Sequence, residues 1–212
     1  EKAVRPVGQL LRRTGMSPDH LTILGILFAI AAAFSIAQGA LRGGLILVIL
    51  AALPDMLDGA LAKAAGSASQ RGAFFDSVVD RVTDSLLFGG VAWFFASEKS
   101  PHLALLPMAI MGVSSLISYE RAKAESLGLY AKGGLMERAE RIIVLCVGLL
   151  FDSLLTPILW VMLVLTVATA IQRFVQVWRQ AEVSSTTKQK REVRQVRRVS
   201  RQSIRASRRQ LS

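Results

Sequence analysis

Apolar runs recur six times along this 212-residue chain, over 21–38, 41–61, 73–96, 103–118, 142–151 and 154–175, and such a chain has few folds open to it. Inside hydrocarbon every backbone N–H and C=O needs an internal partner, and a helix supplies those partners within one segment. Apolar stretches of about 17 to 25 residues cross a bilayer as helices. The sequence therefore predicts an all-α integral membrane protein with six transmembrane helices, of which 103–118 and 142–151 are the shortest. A hydrophobic content of 52% agrees with the membrane as solvent.

The cations set the orientation. Lys2, Arg5, Arg12 and Arg13 precede the first run, Lys63 and Arg71 separate the second and third, and Arg121, Lys123, Lys132, Arg138 and Arg141 separate the fourth and fifth. The alternate connections carry only Arg42, Lys99 and, at 151–153, none. Positive-inside asymmetry then places both termini on the cytoplasmic side of the cell membrane. Residues 3–15 read as a short interfacial helix. Pro18 suits the first turn of the entering helix, with Ser17 as its cap. The first run has no small-residue cleavage site and reads as a retained span.

Residues 1–179 form the expected membrane domain and 180–212 a basic cytoplasmic tail. Of the net charge of +11, +8 lies in that tail, beside a membrane helix. That placement suits anionic lipid and argues against a nucleic-acid partner. Val193, Val196, Val199 and Ile204 would permit a surface helix; a solvated tail is the alternative. Cys146 stands alone in an apolar run and reads as packing.

The costly residues are the acids. Asp55 and Asp58 close the second run, and Asp76, Asp80 and Asp84 open the third. An ionised Asp at the centre of a membrane helix costs about 2.5 to 3.5 kcal/mol on insertion scales. Spacings of three and four residues put each pair on one helix face. Two facing helices would gather four carboxylates that cannot all stay ionised without cations, and hard divalent ions, Mg²⁺ or Mn²⁺, are the natural counter-ions for oxygen ligands. Gly59 and Gly72 leave room for close approach beside the pairs. Lys63 and Arg71 add the cations with which a metal site holds a diphosphate. Intramembrane acids also mark ion paths, so a cation-coupled transporter is an alternative. Confinement of the acids to one motif and too few helices for two repeats argue against it.

Asp55-x-x-Asp58-Gly59-x-x-Ala62-Lys63, eight residues, then Gly72-x-x-x-Asp76-x-x-x-Asp80 resembles the motif of the CDP-alcohol phosphotransferase family, DxxDGxxAR followed by GxxxDxxxD. It departs at Lys63, where the family usually has Arg; lysine keeps the charge and loses the bidentate fork. The resemblance implies a six-helix bundle with a polar active-site cavity on the cytoplasmic side, a lateral route for lipid tails, and homodimers. It implies that Asp55, Asp58, Asp76 and Asp80 hold the metal, and that Asp80 also takes the proton from the attacking hydroxyl. Asp58, Gly59, Ala62, Lys63, Arg71 and Gly72 would contact the CDP-linked lipid donor, with Asp19 and Thr22 as further candidates from an N-terminal element. Asp84 lies beyond the motif and reads as an acid paired with Arg81 or another cation.

For the acceptor, Arg121 and Lys123 close the fourth run and Arg138 and Arg141 open the fifth. They read either as ordinary positive-inside charge with Glu120, Glu125, Glu137 and Glu140 as helix-end partners, or as a pocket for a phosphorylated alcohol. The stretches SPDHLT, LPDMLDGA, DSVVDRVTD and ISYERAKAE…ERAER resemble the actinobacterial inositol-phosphate-using branch of the family. That branch implies CDP-diacylglycerol and inositol phosphate as substrates, with Arg121, Lys123, Arg138 and Arg141 at the acceptor phosphate. Glycerol 3-phosphate is the alternative acceptor.

Overall fold

The computed structural model describes the backbone of residues 18–65, 70–97, 100–131 and 133–210, and the side chains of 20–53, 70–97, 100–131 and 133–182. Among these residues helices are the regular elements, without a strand. The helices are α1 (Pro18–Ala37), α2 (Leu41–Ala65), α3 (Gln70–Ser97), α4 (Leu105–Ser126), α5 (Arg138–Leu150) and α6 (Asp152–Gln210), with a 3₁₀ turn at Pro101–Ala104 leading into α4. The expected interfacial helix at 3–15 lies outside the described residues.

Two helix ends show why the chain turns where it does. Gly39, at φ +79°, ends α1: its N–H donates to the Ile36 carbonyl and the Ala40 N–H reaches back to Ser35. Gly128, at φ +70°, ends α4 in the same way, with Gly128 N–H on Glu125 and Leu129 N–H on Ala124. Both are Schellman closures, in which a left-handed residue lets two orphan carbonyls be satisfied.

Packing runs α1 on α2 and α3, α3 on α4, α2 on α5, and α6 on α4 and α5. The core is apolar and close-packed, with Ile36, Leu87, Phe88, Ile110, Leu145, Leu149, Leu159 and Met162 at 0–1% exposure. At the α1–α3 crossing a Cβ on Gly90 would fall 2.6 Å from the Ala33 carbonyl oxygen and 2.8 Å from its Cα. Only a residue without a side chain admits that approach, as at small-residue interfaces of membrane helices.

The outward faces carry Phe34, Ile46, Trp93, Trp160, Val164 and Ile171, all more than half exposed. Apolar area on this scale needs an apolar solvent. Three helical segments, His20–Ala37, Pro101–Ser126 and Asp152–Glu182, are long and apolar enough to cross a membrane, and Leu41–Leu53 is a shorter apolar stretch. Helix α5, 13 residues, extends only about 20 Å at 1.5 Å per residue, against a hydrocarbon core of about 30 Å. The last helix differs most from its sequence expectation: it runs on without a break from the apolar segment through the basic region to Gln210.

Candidate active site

Helix α3 sets Asp76, Asp80 and Asp84 at successive turns, and α5 brings two arginines onto the last two. Arg138 Nη1 lies 2.8 Å from Asp80 Oδ1, and its Nε lies 3.3 Å from Asp84 Oδ1. Arg141 Nη2 lies 3.1 Å from Asp84 Oδ2, and its Nη1 donates to the Met136 carbonyl at 3.2 Å. Arg81 Nη1 closes the group, 3.3 Å from Asp80 Oδ2 and 3.1 Å from the Ser77 carbonyl. Asp84 and Arg141 are buried, at 7% and 3% exposure, whereas Asp80 and Arg138 are partly open. In this setting charge-assisted bonds are stronger than in water, and each ion must be paired because desolvation is costly.

The segment leading into α5 is itself held. Arg173, buried in α6, directs Nη2 to Glu137 Oε1 at 2.9 Å, Nε to the Gly133 carbonyl at 3.2 Å and Nη1 to the Ile117 carbonyl at 3.4 Å. Glu137 also accepts from the Gly133 N–H at 3.2 Å, and the Met136 N–H donates to Thr169 Oγ1 at 3.0 Å. One guanidinium thus ties α6, α4 and the start of α5 together.

The residues anticipated from sequence are placed as follows in the fold. Asp76 and Asp80 share one face of α3, with Gly72 a turn earlier and Arg71 exposed beside it. Asp55, Asp58, Gly59, Ala62 and Lys63 belong to α2 and Asp19 to the first turn of α1; their side chains lie outside the described residues, as does Lys132. Among the described residues no three His, Cys, Asp or Glu side chains form a metal-binding group. Thr22 is buried near the start of α1. Arg138 and Arg141, expected at the acceptor phosphate, are brought onto Asp80 and Asp84. Arg121 instead pairs with Glu125 at 3.0 Å on the exposed end of α4, where Lys123 is also exposed.

Asp84 is paired with two arginines, as an acid beyond the motif required, but the partners are Arg138 and Arg141, while Arg81 turns to Asp80. Arg173 escaped the sequence reading. An ionisable residue inside a membrane run is a site candidate whatever its sign, and the run at 154–175 carries Arg173.

The chain belongs to the CDP-alcohol phosphatidyltransferase family, whose model matches residues 16–172; it is accordingly a membrane enzyme of phospholipid synthesis. Within that family it is similar to phosphatidylinositol phosphate synthases: 38% identical over 180 residues to that of Mycobacteroides abscessus, covering 81% of this chain and 82% of the relative. It is 36% identical over 201 residues to that of Streptomyces avermitilis, covering 88% and 82%. The fold is similar to crystal structures of the Mycobacterium tuberculosis phosphatidylinositol phosphate synthase. The form with CDP-DAG bound gives a TM-score of 0.78 at 34% identity, over 84% of this chain and 94% of that one. The form with manganese and citrate gives 0.77 at 34% identity, over 82% and 88%. Membership of an enzyme family decides against the transporter.

Proposed function

We propose that this chain is a phosphatidylinositol phosphate synthase, which transfers the phosphatidyl group of CDP-diacylglycerol to a hydroxyl of inositol phosphate and releases CMP. The observation that carries the reading is similarity to such synthases over more than four-fifths of the chain, with the acidic motif falling on consecutive helices α2 and α3.

The hydroxyl oxygen bonds to the phosphorus that carries diacylglycerol, and the bond from that phosphorus to the bridging oxygen of CMP breaks. Asp80 accepts the hydroxyl proton; a carboxylate so placed contributes general base catalysis. Lys63 and Arg71, with Asp58, Gly59, Ala62, Gly72, Asp19 and Thr22, contact the nucleotide and diphosphate. Arg121, Lys123, Arg138 and Arg141 take the acceptor's phosphate. Asp55, Asp58, Asp76 and Asp80 would hold a divalent cation, Mg²⁺ or Mn²⁺. Their all-carboxylate donor set, two positions on each of two successive helices, is the hard-oxygen chemistry such ions select. When bound, the ion neutralises charge on the diphosphate and on departing CMP. The crystallised M. tuberculosis relative with manganese supports this assignment.

The reading extends to topology. Residues 1–179 form a membrane domain of six spans, α5 crossing with the polar residues that precede it, and 180–212 a basic extension. Both termini and the cavity face the cytoplasm at the plasma membrane, and the enzyme works as a homodimer. The test is CMP release by purified protein given CDP-diacylglycerol, Mg²⁺ and either inositol phosphate or glycerol 3-phosphate. Turnover with inositol phosphate is expected; turnover with glycerol 3-phosphate alone overturns the assignment.

A further inference from the structure

Asp84 lies one turn beyond the last acid of the family motif. A carboxylate at 7% exposure in a membrane helix needs a reason, because well-packed apolar residues often replace buried ion pairs without loss of stability. Its two oxygens are divided between two cations: Oδ1 faces Arg138 Nε and Oδ2 faces Arg141 Nη2. Those arginines stand three residues apart on α5, on one face of the helix. A single group on α3 thus fixes both guanidinium groups at once, and with them the separation of α3 from α5.

Arg81, Arg138 and Arg141 meet Asp80 and Asp84. Arg141, buried, has two nitrogens engaged, by Asp84 and the Met136 carbonyl, while its Nε has no hydrogen-bond partner. An unspent guanidinium donor in a desolvated place suits an anion, and the planar fork of arginine suits a phosphate.

We propose that Asp84 is a positioning residue of the acceptor-phosphate subsite: it holds Arg138 and Arg141 in the arrangement that receives the acceptor's phosphate, one helical turn from Asp80. This rests on the proposed function. Asp84 touches neither donor nor acceptor and acts through the two arginines. Because four residues along a helix amount to about 6 Å of rise, it also registers the phosphate against the group that takes the hydroxyl proton.

The experiment is steady-state kinetics of full-length protein in lipid nanodiscs with Mg²⁺, varying inositol phosphate at saturating CDP-diacylglycerol and then the reverse. Asp84→Asn is expected to raise KM for inositol phosphate about tenfold or more, with KM for CDP-diacylglycerol within about twofold and kcat at saturating acceptor within about fivefold. Asp84→Glu keeps the charge but displaces both guanidiniums by a methylene, and is expected to raise the acceptor KM about threefold. An acceptor KM unchanged in the folded variants, or both KM values rising together, overturns the proposal. If Asp84→Asn does not fold, the glutamate variant decides by the same two criteria. Should the wild type consume glycerol 3-phosphate in place of inositol phosphate, the functional reading fails on its own, and Asp84 is judged by the KM for that acceptor.

Discussion

Replacing Arg173 with methionine removes a guanidinium that joins α6 to α4 and to the entry of α5. Its side chain is 6% exposed and its Glu137 partner 45%, so the two ends of the interaction count differently. The carboxylate regains water when the arginine leaves, and that pair contributes about 1 kcal/mol or less. The Gly133 carbonyl, outside any helix, loses a charged donor, as does the Ile117 carbonyl. A hydrogen bond to a charged group contributes about 1.5 to 3 kcal/mol, the weaker figure applying to the 3.4 Å contact. Methionine recovers part of the packing, which leaves a net loss of about 3 kcal/mol. For a chain of this size about 2 to 4 °C accompanies each kcal/mol, so thermal unfolding of purified Arg173→Met in detergent should fall by about 6 to 12 °C. Glu137→Gln keeps an acceptor for Gly133 and should lose no more than about 4 °C. Unfolding of Arg173→Met at the wild-type temperature, or a glutamine variant as damaged as the methionine one, would refute this division.

Other perturbations have definite outcomes. Asp80→Asn should lower CMP release about 10²- to 10⁴-fold while leaving the unfolding temperature within a few degrees, checked by turnover and scanning fluorimetry. Gly90→Ala should lower stability by about 1 to 3 kcal/mol despite alanine's better helix propensity, because the added carbon meets Ala33 backbone that cannot rotate away; denaturation in mixed detergent reads it. Lys63→Arg should lower KM for CDP-diacylglycerol with kcat nearly unchanged, since a bidentate fork replaces a point charge on the diphosphate.

How much of this was legible beforehand differs element by element. Apolar length announced α1 and the first half of α6, because burial of backbone in lipid leaves little alternative to a helix. The unbroken α6 was legible only as one of two readings: Val193, Val196, Val199 and Ile204 permit a helix, but an arginine-rich stretch reads as tail or helix alike. Arg138 and Arg141 were legible as the opening of α5, but what holds Glu137, Arg138 and Arg141 was not, because Arg173 and Asp84 reach them across the fold. Spacing revealed that Asp76 and Asp80 share a face, since that is local geometry. It could not reveal that Asp84 meets Arg138 and Arg141, which are 54 and 57 residues away in the chain. Two arginines on one helix held by an acid on another leave no local pattern to read.

The account depends most on carboxylates from two successive helices sharing a divalent ion. Mn²⁺ titration of the purified protein, followed by electron paramagnetic resonance, addresses that directly. Saturable binding is predicted for the wild type and for an Asp152→Asn control, with loss in Asp58→Asn and in Asp76→Asn. Mn²⁺ binding that survives either of those two substitutions at wild-type affinity would contradict it.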